Sequence, residues 1–151
     1  MFYKEFGKTC NRSSKVLNFI DLSWSGIVVA AAASFIVGGL WFTVFLGKAY
    51  SAALGRAHDP AAKPALPMIL GPAVWSLITA FVTVVLMASL GTETVTGALV
   101  LGLFIGLGYL AATTINTGIN PNIPNPLLYG VISGSYHLVA GVIIAMTLAL
   151  F

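Results

Sequence analysis

One histidine, His137, lies inside an uncharged and largely apolar stretch, GVISGSYHLVAGVIIA, which covers residues 130–145. Imidazole titrates near neutral pH and can donate or accept a hydrogen bond. In an apolar environment an unpaired polar group costs several kcal/mol, so the pattern predicts a partner for this side chain. Two interpretations stay open: His137 ties helices together as a neutral group, or it handles a proton or a polar solute.

A second set of polar residues precedes it in the segment from residue 96 to 118. An α-helix turns by about 100° per residue, so positions i, i+4, i+7 and i+11 share one face. That row begins with the GxxxG pair Gly102 and Gly106 and continues with Tyr109, Thr113, Asn116 and Asn120. We predict that the row faces the protein interior, where its polar members and His137 form one intramembrane polar site.

Small residues repeat at the same spacing on two other segments. Gly130, Gly134 and Gly141 share a face with His137. Ala31, Ser34 and Gly38 form a corresponding row near the N-terminus. Helices in lipid associate through close backbone approach at small residues and through hydrogen bonds, so these faces are predicted to face each other or a common bundle centre.

Other reactive groups do not form a recognisable set. The sequence RAHDP places His58 beside Asp59, which is too few ligands for a metal site. No nucleophile with its base and no phosphate-binding loop is evident, so we expect no catalytic residue, metal or cofactor, and no enzyme. The basic residues do not alternate with aromatic ones as a nucleic-acid surface would require, so no nucleic-acid partner is expected.

Composition places these residues in a membrane. Only 7% of the 151 residues are charged and 58% are hydrophobic, whereas soluble domains carry about 25% charged residues. Four segments are long enough to cross a bilayer, at about 22–46, 66–90, 96–118 and 127–150. The short polar links between them predict an all-α fold, a four-helix transmembrane bundle made of two helical hairpins, in a multi-pass protein of the cell membrane whose partner is the lipid bilayer.

The chain divides into a polar basic segment, residues 1–21, and the transmembrane domain, residues 22–151. Lys and Arg prefer the cytoplasmic side. Four of them precede the first span and three lie in the first loop, which slightly favours a cytoplasmic N-terminus. If residues 1–15 are not translated, the count becomes zero against three and the orientation reverses.

Aromatic residues concentrate near the ends of the first span. Amphipathic rings are enriched at the headgroup level of a bilayer. We therefore interpret five residues as an interfacial belt: Trp24, Trp41, Phe42, Phe45 and Tyr50.

The stretch GGLWFTVFLGKAY resembles the end of the first span in a family of small bacterial membrane proteins, the domain-of-unknown-function family numbered 1761. The matching positions are Gly38, Gly39, Trp41, Phe42, Leu46, Gly47, Lys48 and Tyr50, together with a Tyr-His-Leu at Tyr136, His137 and Leu138. Where the family often has a proline after its aromatic pair, this chain has Thr43 and Val44. The resemblance covers roughly residues 17–151 and implies a four-span integral membrane protein, without implying a reaction.

Two hypotheses for function follow. The first is a structural or accessory membrane protein that acts through interactions, with a homo-oligomer kept open. The alternative is a component of an oligomeric transporter or channel for a small solute or protons, in which His137, Tyr109, Asn116 and Asn120 line a polar path. Four helices rarely enclose such a path alone, so this alternative requires several copies.

Overall fold

The computed structural model describes residues 22–151, which are helical and contain no strand. Four of the helices are long and apolar enough to cross a membrane, which confirms the predicted all-α fold and indicates a multi-pass membrane protein. These spans are Trp24–Phe45, Leu66–Leu90, Val95–Gly118 and Pro126–Leu148. The predicted basic segment, residues 1–21, lies outside the described residues.

Two of the four spans change their helical winding. The first span consists of α1 (Trp24–Leu40) and a π-helical segment (Trp41–Phe45), followed by the short helix α2 (Gly47–Ala53). The second span is α3 (Leu66–Leu90) and the fourth is α6 (Pro126–Leu148). The third span consists of α4 (Val95–Leu103), a π-helical segment (Phe104–Ala111) and α5 (Ala112–Gly118). In a π-helix each N–H bonds to the carbonyl five residues earlier, so each turn contains more residues than in an α-helix. The side chains that follow therefore point in a different direction from the one that uniform α-helical spacing predicts.

The ends of the helices follow from local chemistry. The side chains of Ser23 and Thr94 each accept a backbone N–H three residues further on, at 3.1 Å, which satisfies a group left free at a helix start. Gly91 ends α3 in the left-handed conformation at φ 65°, where a residue without Cβ is favoured. Pro126 opens α6, where its missing N–H costs nothing.

The fourth span lies at the centre of the packing. The first span contacts both the second and the fourth, and all three parts of the third span contact the fourth. The buried apolar cluster draws on all four spans: Ile27, Ala30, Ala31, Ala80, Met87, Ala98, Ile144, Ala145 and Leu148.

The second span is attached along one narrow row. Ala80, Thr83 and Met87 are its buried residues, and none of residues 66–79 is buried. Large apolar side chains point outward along its length, including Leu70 and Trp75. Such a surface is suited to lipid tails, because soluble proteins rarely expose large continuous apolar patches to water.

The connection that follows the first span meets the connection that follows the third span. We call this side of the bundle the loop end. The side-chain amide of Asn125 donates to the carbonyl of Ala52 at 3.0 Å. Gly55, at φ 64°, packs against Pro124, which a Cβ would approach to 2.9 Å. The loops therefore hold α2 against the start of the fourth span.

Candidate functional site

Two hydrogen bonds join the first span to the fourth. The indole N–H of Trp41 donates to the carbonyl of Ile132 at 3.1 Å, and the hydroxyl of Tyr136 donates to the carbonyl of Ser34 at 3.2 Å. The donors lie on opposite helices, so each span supplies a donor to a backbone carbonyl of the other. Within lipid such bonds hold two helices in one relative position.

Gly38 makes room for the Tyr136 ring. A Cβ at position 38 would lie 2.7 Å from the phenolic oxygen and 2.9 Å from Cζ, closer than real contacts allow. Absence of a side chain at this position therefore lets the ring lie against the first span and reach Ser34.

A series of aromatic rings continues from this contact to the loop end. Phe42 meets Tyr136 at 5.1 Å between ring centroids, edge to face, and meets Tyr50 at 4.8 Å. Tyr50 in turn approaches Tyr129 at 6.1 Å, while Tyr136 lies 5.0 Å from the His137 ring. Ring pairs at these separations stabilise by about 0.5–1.5 kcal/mol beyond the area they bury. We call Phe42, Tyr50, Tyr129 and Tyr136 the aromatic cluster.

Tyr50 belongs to α2, outside the spans. Burial, followed by the neighbouring Tyr129, raises the pKa of Tyr50 above its ordinary value, against an opposing effect of the Arg56 charge. Because this direction is upward, the phenol stays protonated at neutral pH and keeps its apolar ring and neutral hydroxyl in the cluster.

The interfacial belt stays a prediction, and the structure divides its five members into two groups. Trp24 and Phe45 are exposed. Phe42 and Tyr50 are half-buried in the aromatic cluster, and Trp41 is half-buried where it bonds to the Ile132 carbonyl. The signal that could have found this is in the sequence, because the row Ala31, Ser34, Gly38 continues to position 41 at helical spacing.

The polar row of the third span does not face the interior, contrary to the prediction. Tyr109 is 74% exposed, and Thr113 and Asn116 are exposed as well. The reason is the π-helical segment: the buried face steps five residues, from Gly106 to Ala111, where the α-helical spacing assumed three or four. All later residues are rotated accordingly, and Tyr109, Thr113 and Asn116 move to the outer side.

Asn120 has a local role. Its side-chain amide donates to the carbonyl of Thr117, and its side-chain oxygen accepts the backbone N–H of Asn122 at 2.9 Å. This side chain shapes the turn after the third span, and it is not brought together with the other predicted site residues.

The predicted packing glycines lie at contacts between spans. A Cβ on Gly106 would lie 2.7 Å from the carbonyl oxygen of Leu138, and one on Gly102 would lie 2.9 Å from that of Gly141. One on Gly141 would lie 2.7 Å from the Gly106 Cα. A Cβ on Gly130 would lie 3.4 Å from a side-chain carbon of Ile115, and one on Gly134 would lie 3.0 Å from another. The third and fourth spans thus touch backbone to backbone around Gly102, Gly106 and Gly141.

His137 is half-buried, and within residues 22–151 its ring makes no hydrogen bond. Its contact is with the ring of Tyr136. None of the partners predicted for it, including Tyr109, Thr113 and Asn116, bonds to it. Nor do residues 22–151 contain a group of three or more His, Cys, Asp or Glu side chains that could hold a metal.

One turn before His137, Ser133 is 3% exposed, and among residues 22–151 its hydroxyl has no hydrogen-bond partner. A buried hydroxyl without a partner costs about 1–3 kcal/mol. We therefore expect Ser133→Ala to leave thermal stability in detergent unchanged or to raise it by up to about 1 kcal/mol. Ser135→Ala serves as the control, because the Ser135 hydroxyl bonds to the Ile132 carbonyl at 3.1 Å. A loss of more than 1 kcal/mol for Ser133→Ala alone would mean that this hydroxyl has a partner.

Comparison with known proteins bears on these contacts. The model of a family described as a protein of unknown function, DUF1761, matches residues 25–149. The chain belongs to the DUF1761 family. Comparison with curated proteins and with solved structures gave no match.

The end of the first span and the middle of the fourth lie about 90 residues apart in the chain and pack together in the fold. Gly38 and Phe42 from the first span contact Tyr136 of the fourth span, and Trp41 bonds to the carbonyl of Ile132 one turn earlier. This contact between the first and fourth spans therefore fixes the two spans against each other.

Proposed function

We propose that this DUF1761 protein is a structural or accessory component of a membrane assembly, that it acts through contacts with other chains rather than by catalysis, and that it resides in the cell membrane. The observation that carries this proposal is the outward position of Tyr109, Thr113 and Asn116 on the third span. Lipid tails offer neither donors nor acceptors, so hydroxyl and amide groups facing them favour a protein partner.

The interior of the bundle supports the same view. The hydroxyl of Tyr136 and the indole of Trp41 hold spans together. Three hydroxyls on the second span bond back to their own helix, and one of them, that of Thr79, donates to the carbonyl of Trp75 at 2.9 Å. These polar groups already have hydrogen-bond partners within the protein, and their bonds stabilise the fold.

The transport alternative receives less support from this arrangement. It requires His137 to line one path with Tyr109, Asn116 and Asn120. In the structure Tyr109 and Asn116 lie on the outer side of the third span, Asn120 belongs to a turn, and His137 contacts Tyr136. Two open grooves on the surface are lined by apolar residues, and His137 lies in neither.

A photocrosslinking amino acid at position 113 tests the proposal in intact membranes. We expect irradiation to crosslink the variant that carries this amino acid at position 113 to a neighbouring protein chain. Leu70 is the control, because it lies at a similar depth, is exposed, and belongs to the lipid-facing second span. Absence of protein adducts at position 113, or equal amounts at positions 113 and 70, would contradict the proposal.

A further inference from the structure

We propose that the outer face of the third span docks against the same face of a second copy of this chain. The outer face consists of Gly108, Tyr109, Ala112, Thr113 and Asn116, all of which are exposed. The inference rests on the proposed function and deepens it, because it names the partner and the surface.

The outer face lies within the membrane. With a rise of about 1.5 Å per residue, Tyr109, Thr113 and Asn116 lie roughly 4, 10 and 14 Å from the middle of the span. All three are thus inside the half-thickness of about 15 Å of the hydrocarbon layer. Within residues 22–151, their side chains make no hydrogen bond, although each carries a group that can both donate and accept.

The same face permits close approach. A Cβ on Gly108 would meet nothing within 4 Å, so the space in front of this glycine is open. Ala112 follows four residues later and is also exposed. Small residues at this spacing let two helix backbones come together, which strengthens dispersion contacts and the hydrogen bonds beside them.

A second copy fits this face better than a charged partner does. Two copies inserted with the same orientation are related by a twofold axis along the membrane normal, so each residue meets its own equivalent at the same depth. Such like-with-like pairing forms hydrogen bonds when each group is both donor and acceptor. Tyrosine and threonine hydroxyls and the asparagine amide meet this condition, whereas lysine or glutamate would repel its copy.

Cysteine crosslinking tests the dimer in the full chain. The native cysteine is first removed by Cys10→Ser, and Thr113→Cys or Leu70→Cys is then introduced. Membranes are oxidised with copper phenanthroline and the products are separated by mass. We expect a species of twice the chain mass for Thr113→Cys, at least about fivefold more abundant than for Leu70→Cys. Equal yields for the two variants would overturn the inference.

A second variant separates docking from folding. Gly108→Leu adds bulk to the outer face where the monomer leaves open space. We expect it to reduce the Thr113→Cys dimer at least about tenfold, while the melting temperature of the monomer in detergent stays that of the parent monomer. An unchanged dimer yield would overturn the inference.

The outcomes also distinguish the two proposals. If position 113 attaches only to proteins other than this chain, the assembly role stands and the second copy is overturned. If it attaches to no protein, both are overturned. A dimer that depends on Gly108 supports both.

Discussion

Replacing Gly106 with leucine should push the third and fourth spans apart and strongly destabilise the folded bundle. A Cβ at this position would lie 2.7 Å from the carbonyl oxygen and 3.0 Å from the Cα of Leu138. These are backbone atoms of a helix, and they cannot move without moving the helix. Overpacking of a well-packed core typically costs 1–3 kcal/mol, and this site lies at the top of that range, about 3 kcal/mol or more. Thermal unfolding in detergent, followed by circular dichroism and size-exclusion chromatography, measures the loss.

The matched control lies two residues further on. Gly108 belongs to the same π-helical segment, but a Cβ there would meet nothing within 4 Å. Gly108→Leu should therefore unfold like the parent when the protein is monomeric. If both leucine variants melt at the same temperature, the assignment of Gly106 to the contact with the fourth span is wrong.

Truncating Tyr136 should have the second large effect. The ring fills the space that Gly38 leaves open and contacts Phe42, and its hydroxyl bonds to the Ser34 carbonyl. Removing a buried aromatic side chain costs about 3–5 kcal/mol, so we expect Tyr136→Ala to lower stability by that amount. Tyr136→Phe removes only a hydrogen bond, which in a membrane contributes about 0.6 kcal/mol on average. Thermal unfolding of both variants provides the comparison.

Tyr109→Ala is the control for that experiment, because the Tyr109 ring is 74% exposed and makes no hydrogen bond within the described residues. It should change the stability of the monomer by less than about 0.5 kcal/mol. A phenylalanine variant of Tyr136 as unstable as the alanine variant would show that the hydroxyl, and not ring packing, holds the two spans together.

The four spans could be predicted from composition and length, because crossing a bilayer requires long apolar helices whatever their partners. The orientation of residues within the third span could not. Helical periodicity places Tyr109 on the same face as Gly106 only when the helix is α-helical throughout. The π-helical segment ends that uniformity, and the buried face passes from Gly106 to Ala111 instead. Hydropathy carries no signal for this change, because apolar residues occupy both sides of a membrane helix.

Pairing between spans was partly visible in the sequence. The small residues Ala31, Ser34 and Gly38 predict a packed face, and all three are buried. What fills the space beside Gly38 depends on which helix lies opposite and at what height. Tyr136 could not be chosen by periodicity on its own helix, because its partners, Ser34 and Phe42, lie about 100 residues earlier.

The central place of the fourth span has a consequence for biosynthesis. The span Pro126–Leu148 is translated after the other three, yet both the first and the third pack against it. Until it enters the bilayer, Trp41 has no Ile132 carbonyl to bond, and the glycine face of the third span has no helix to meet. Before then, the first span already has the second span to pack against, whereas the third span makes its main contacts with the fourth. The described bundle is therefore complete only when this fourth crossing arrives.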